Sequence, residues 1–223
     1  MNQESKEVNW CEIVWRDASD IYDAIIAHPF IRELQEGTLS RERYLYYLSQ
    51  DKIYLGQYFR VLAHIASRIE PADFADDFLR FATDGILVER NLHSFFLDGE
   101  SGKQIVASPS CALYTSTLKS MAYEPMEVEA ASVLPCFMVY YRVGCHIYNH
   151  ASKVSGHPYR KWIDTYADKS FKTATERAME ICNILASRTT DEIRNRMTAI
   201  FRYCTKMEYL FWDSAWKLEK WKI

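Results

Sequence analysis

Turn-forming residues are scarce in this chain. Seven glycines and six prolines serve 223 residues, which leaves few places for tight turns and favours long helices over a many-stranded sheet. No segment shows strand-like alternation, and no repeat or interior linker interrupts the chain. The six cysteines (Cys11, Cys111, Cys136, Cys145, Cys182, Cys204) include no C-x-x-C pair. Zinc spacing is therefore absent, and a disulfide framework is not expected at this length. Residues 1–8 are polar, without an apolar stretch behind basic residues, which argues against a secretory leader. No run approaches the roughly 20 apolar residues of a membrane span. A net charge of -3 and a pI near 6.1 give no electrostatic footing for nucleic acid or an anionic membrane. The expectation is a reduced, cytoplasmic protein with neither nucleic acid nor membrane as partner.

Hydrophobic residues at 48% and charged residues at 26% are ordinary for a globular chain of this length, and the core can be a full one. Fifteen tyrosines are many; with an apolar body and a polar tip, tyrosine suits a lined pocket or a subunit interface. Helical spacing predicts helices over residues 8–27, 29–35, 41–69, 72–97, 108–122, 126–154, 159–166, 168–186 and 191–220. Pro29, Pro71, Pro125 and Pro158 fall at breaks, since the residue before proline leaves the helical region. Gly37 reads as a C-terminal glycine, and Ser40, Asp168 and Thr189 or Thr190 read as N-caps,. The fold expected is all-α, one domain over 1–223, in a bundle of about eight or nine helices.

Three apolar stripes carry a residue that does not belong in one. Tyr44, Leu48, Asp51, Leu55, Tyr58, Leu62 and Ile65 share a helical face broken by Asp51, with Tyr47 and Tyr54 one turn to either side,. Met197, Phe201, Cys204, Glu208, Phe211, Ala215 and Leu218 share another, broken by Glu208. Val133, Cys136, Tyr140, Val143 and Ile147 share a third, with Cys136 in its middle and Pro135 just before it. A free cysteine is usually core filler, and a buried carboxylate is often one half of an ion pair. Pro135 within the helix is expected to leave a backbone carbonyl free near Cys136. Two unexplained carboxylates together with a mid-stripe thiol point to a pocket at the bundle's centre.

Residue type then suggests the chemistry. A thiolate is a good nucleophile. A desolvated glutamate has a raised pKa and suits proton transfer. A second carboxylate can accept from an amino group or hold a protonated ring nitrogen, and tyrosines can stack on a flat ring. These describe nucleophilic attack on a planar, nitrogen-bearing ring, without naming it.

The chain resembles the TenA (TENA/THI-4, thiaminase II) family of haem-oxygenase-like helical proteins. The matching pieces are His28-Pro29-Phe30 with Gly37-Thr38-Leu39, the run from Tyr44 through Leu55, Leu134-Pro135-Cys136 with Tyr140, Trp162-Ile163 with Tyr166 and Phe171, and Glu208 with Phe211-Trp212. They occur in the family's order across most of the chain. Lys52 departs from the pattern, where an aromatic often follows the aspartate. The resemblance implies hydrolysis at the methylene carbon of a 4-amino-2-methylpyrimidine, the substrate being 4-amino-5-aminomethyl-2-methylpyrimidine or thiamin. It implies Cys136 as the nucleophile and Glu208 as activator of the thiol or proton shuttle to the leaving group. It implies Asp51 on the ring nitrogen and amino group, and Tyr54, Tyr114, Tyr140 and Tyr166 lining the site. It implies no metal or organic cofactor and a homotetramer. Two rivals share the scaffold: a metal-dependent oxygenase using Glu89 and His93, one turn apart, and a non-catalytic binding or regulatory protein.

Overall fold

The structure, a computed structural model, describes residues 9–97, 105–151 and 156–222, with the backbone alone for 87–97. Among the described residues there are ten α-helices, one 3-10 turn and no strand. They are α1 (Trp10–Asp17), α2 (Ser19–Ala27), α3 (Pro29–Glu36), α4 (Arg41–Arg68), α5 (Ala72–Leu97), α6 (Pro109–Ser120), α7 (Met126–His150), α8 (Arg160–Tyr166), α9 (Lys169–Arg188) and α10 (Asp191–Lys217). The 3-10 turn, Met121–Tyr123, follows α6 directly.

Most punctuation works as the local chemistry demands. Ser40, Ser108, Asp168 and Thr190 each accept a hydrogen bond from an early backbone N–H of the following helix, which satisfies a donor that has no partner within the helix. Gly37 ends α3 in the left-handed conformation at φ 74°, which glycine adopts without steric cost.

Three expectations on element bounds need correcting, one of them at the C-terminal end of α7, which stops at His150 with Ala151 extended at ψ 140° instead of running to 154. The single helix expected over 8–27 is two, because the chain turns at buried Ala18 without a proline or glycine. The two halves share α10 but differ in their other partner. α1 is tied to α9 and α10 through Cys11 N–H to Asn183 Oδ1 and Trp10 Nε1–H to Thr198 Oγ1, whereas α2 packs on α10 and α3. The last helix stops at Lys217, three residues short of its expected end, with Leu218 left-handed at φ 51°.

α7 is the axis of the bundle. It is buried on every side from Val128 to Pro135 and again from Phe137 to Tyr140, as a helix enclosed by others must be. It packs against α10, α9, α8 and α4. Gly144 lets α8 come close: a Cβ there would lie 2.7 Å from the Tyr166 backbone carbonyl carbon. Further along α7, Glu129 is 1% exposed and is held by His64 Nδ1 at 2.7 Å and by the Arg68 guanidinium, both from α4. These two ties fix α4, α7 and α8, the helices that carry most of the site.

Candidate active site

Five helices converge on one cavity region. α4 supplies Asp51, Tyr54 and Tyr58, α6 supplies Tyr114, α7 supplies Cys136 and Tyr140, α8 supplies Tyr166, and α10 supplies Glu208. A cavity of about 360 Å³ opens against α4, α5, α7, α8 and α9, a size found among small-ligand sites of roughly 300–1,000 Å³. Asp51, Cys136, Tyr140 and Tyr166 line it.

Cys136 is the one member of its stripe that is not buried; Val133, Tyr140, Val143 and Ile147 all are. Its half-exposure is onto the cavity. The carbonyl that Pro135 frees is that of Ala131, while the nearby Val133 carbonyl accepts from Tyr58 Oη at 2.9 Å,. Pro135 itself takes away the N–H that would reach Ala131, so proline and the Tyr58 bond are separate features.

Tyr54 and Tyr114, expected on the wall, stand behind it. Tyr114 Oη donates to Glu208 Oε1 at 2.7 Å, with Glu208 1% exposed. The Tyr54 ring lies 4.8 Å from that of Tyr114, centroid to centroid. The buried Tyr54 hydroxyl has no protein partner of good hydrogen-bond geometry, yet it is near enough to Cys136 to favour the thiolate. It is thus a donor poised beside the sulfur.

Electrostatics follows from this burial. Glu208 is pushed up to about 8, chiefly by desolvation; the Tyr114 hydrogen bond opposes the rise and the charge of Asp51 adds to it,. The Cys136 thiol is pushed well above its ordinary value by desolvation and then by Glu208, while the Tyr54 and Tyr58 hydroxyls pull the other way. The resting site therefore holds a neutral thiol beside a carboxyl group that titrates near neutrality. Burial also keeps the phenols of Tyr140 and Tyr166 protonated, with Asp51 the next cause for each. They serve as hydrogen-bond donors.

An aromatic layer backs the inner wall. Tyr47 stacks on Trp212 at 4.9 Å and 17°. Its hydroxyl accepts from Trp162 Nε1–H at 3.2 Å and lies 3.4 Å from that of Tyr140. This chain of bonds fixes Tyr140 from behind.

Several lining residues escaped the sequence reading as site residues: Tyr58, Phe59, Phe81, Asp84, Phe137 and Thr165. Helical phase ranked Tyr58 as core, and it is both core and wall. α5 carries no stripe-breaker that would have marked Phe81 or Asp84. Lys52, the departure from the family pattern, is exposed and off the lining, since the next residue on a helix points about 100° away. The Glu89 and His93 side chains lie outside the described residues. Among those described, no three His, Cys, Asp or Glu side chains cluster to hold a metal ion. His146 and His150 do stand at ligand spacing on α7, their rings stacked at 4.4 Å, but no third ligand joins them among the described residues.

Fold and site together define an all-helical protein with an open-mouthed cavity where a cysteine faces an acidic, tyrosine-rich wall. The chain matches the TENA/THI-4/PQQC family over residues 15–218, and it belongs to that family. It is 30% identical over 211 residues to the aminopyrimidine aminohydrolase of Bacillus subtilis (strain 168), covering 92% of this chain and 88% of that one. It is 36% identical over 171 residues to the thiamine biosynthesis multifunctional protein ThiED of Corynebacterium efficiens, covering 74% of this chain. That match spans only 23% of the multifunctional protein. Among solved structures, a TenA homologue from P. horikoshii OT3 superimposes with a TM-score of 0.83 at 24% identity, covering 93% of this chain and 98% of that one. A domain with a heme oxygenase-like fold from Shewanella denitrificans OS217 superimposes with a TM-score of 0.69 at 14% identity, covering 93% and 92%. The last two likenesses establish the fold.

Proposed function

We propose that this chain is an aminopyrimidine aminohydrolase of thiamin salvage, converting 4-amino-5-aminomethyl-2-methylpyrimidine to its 5-hydroxymethyl counterpart, or cleaving thiamin at the same methylene, with Cys136 as nucleophile. The observation that carries this reading is the placement of Cys136. Its side chain faces the cavity together with Asp51, while Glu208, held by Tyr114, lies within electrostatic reach behind it.

In this reading Asp51 accepts from the ring's amino group and holds the adjacent ring nitrogen. Tyr140 and Tyr166 pack on the ring and donate at its edge, with Tyr54 and Tyr114 supporting them. Glu208 takes the thiol proton as the sulfur bonds to an electron-poor ring carbon. The electron pair returning from the ring breaks the exocyclic C–N bond. The group leaves as ammonia from its ammonium form or, from thiamin, as neutral thiazole, the positively charged nitrogen taking the bonding pair so that no proton is needed. Water then adds to the exocyclic methylene carbon and gives up a proton to the ammonia or to solvent, the carbon–sulfur bond breaks, the aromatic ring is restored, and Glu208 returns the proton it holds to the sulfur. The net change is one amine replaced by one hydroxyl with one water consumed. A glutamate near 8 suits both directions of transfer, because catalytic groups work best with a pKa near the working pH.

No helix among the described residues is long and apolar enough to cross a membrane. With biosynthetic relatives, that supports a cytoplasmic setting. We read the helical chain as one unit that assembles into a homotetramer, giving a particle of about four times 26.2 kDa by light scattering,.

Turnover of the aminomethylpyrimidine and of thiamin, side by side, tests the function. Wild-type product with loss of orders of magnitude in Cys136→Ser supports the cysteine route. A folded wild type that turns over neither substrate removes the hydrolase reading.

A further inference from the structure

The cavity's outer half has a composition of its own. Tyr58, Phe137 and Phe81 form a run of rings, with centroids 6.1 Å and 5.2 Å apart in turn, and Phe171 lies 6.5 Å beyond Phe137. Phe81 and Phe171 are half-buried and mark the opening. Asp84 lies one turn after Phe81 on the same face of α5, exposed at that opening and part of the lining,. Among the described residues, the lining carries two carboxylates, Asp51 deep inside and Asp84 at the mouth, and no lysine, arginine or histidine. Aromatic faces and a carboxylate with no cation among them form a surface that attracts positive charge.

We infer that Asp84, with Phe81, Phe137 and Phe171, forms an outer subsite that holds the cationic leaving group of the substrate. This rests on the aminohydrolase reading above. Both candidate substrates carry their positive charge beyond the reacting methylene, as an alkylammonium or as a thiazolium. The hydroxymethyl product is neutral at the same place. The outer subsite therefore binds substrate better than product, and its hold is lost when the amine departs, which favours release. Thus Asp84 sets specificity by charge, while Asp51 reads the ring.

The test compares wild type with Asp84→Asn in two measurements. One is KM and kcat for the aminomethylpyrimidine; the other is the Kd of the neutral hydroxymethylpyrimidine. An exposed carboxylate a few ångströms from a cation predicts a KM rise of about 3–10-fold in the variant, with the product Kd within about twofold of wild type. Added salt raises KM for wild type and leaves it flat for Asp84→Asn, since an exposed pair is screened. Equal loss for cationic substrate and neutral product, or no change in either, overturns the outer subsite while wild-type turnover stands. A wild-type chain that neither binds the product nor turns over the substrate overturns the aminohydrolase reading and this inference with it.

Discussion

At the scale of single residues, the site depends on how two acids and a thiol share protons in a dry interior. Glu208 is raised from 4.5 to about 8, and the sign of its effect can be followed through. Between those values the folded chain keeps a proton that the unfolded chain releases, so stability falls as pH rises across that window and levels off above it. Glu208→Gln should flatten that decline in a series of thermal melts. The same substitution should cut kcat about 100-fold or more, the lower bound of the range for a positioned acid–base group, and should abolish the rise in activity toward pH 8. A variant that keeps wild-type kcat and its pH limb would exclude Glu208 from proton transfer. For Cys136→Ser, the expectation is lost turnover with product binding kept, measured by titration calorimetry, because the side chain forms the wall without supplying most of the contact.

At the scale of elements, two joints decide whether the site forms. Gly144 is the first. A methyl group there meets the Tyr166 backbone at 2.7 Å, and backbone cannot swing aside as a flexible side chain can. Gly144→Ala should cost about 1–3 kcal/mol in denaturant unfolding, as overpacking does, and should weaken product binding by shifting Tyr166. The second joint is Glu129 with His64 and Arg68. Arg68→Met removes one partner of an almost fully buried carboxylate. The expected loss is about 2–3 kcal/mol, below the roughly 3–5 kcal/mol for a wholly buried pair, because Arg68 is partly exposed and water can replace it. If its unfolding midpoint matched wild type, the pair would not be what holds α4 to α7. The helices themselves were largely readable in the sequence. Proline, glycine and capping residues set most of their ends, and these act through neighbouring backbone. The break at Ala18 was not readable, because no local signal lies there; it comes from the packing partner that differs on either side, α9 before it and α3 after it.

At the scale of the whole molecule, binding and folding are linked. A ligand that binds only the folded chain at 100 times its Kd stabilises it by about 2.7 kcal/mol, so hydroxymethylpyrimidine should raise the melting temperature in a dose-dependent way. No shift would mean that the cavity does not take this ring. The candidate site was legible where helical phase puts an ill-fitting residue into an apolar stripe, as at Asp51, Cys136 and Glu208. Sequence alone determined that these three lie on inward faces, because the 3.6-residue period fixes facing within one helix. Only the tertiary structure decided their depth. Cys136 and Asp51 reach the cavity while Glu208, Tyr54 and Tyr114 stand behind it, and Asp84 joins from a helix whose pattern gave no sign. The physical reason is that periodicity describes one helix at a time. Which residue forms a wall, and which supports it, depends on the angle and separation at which helices cross, and those come from contacts between residues far apart in the chain.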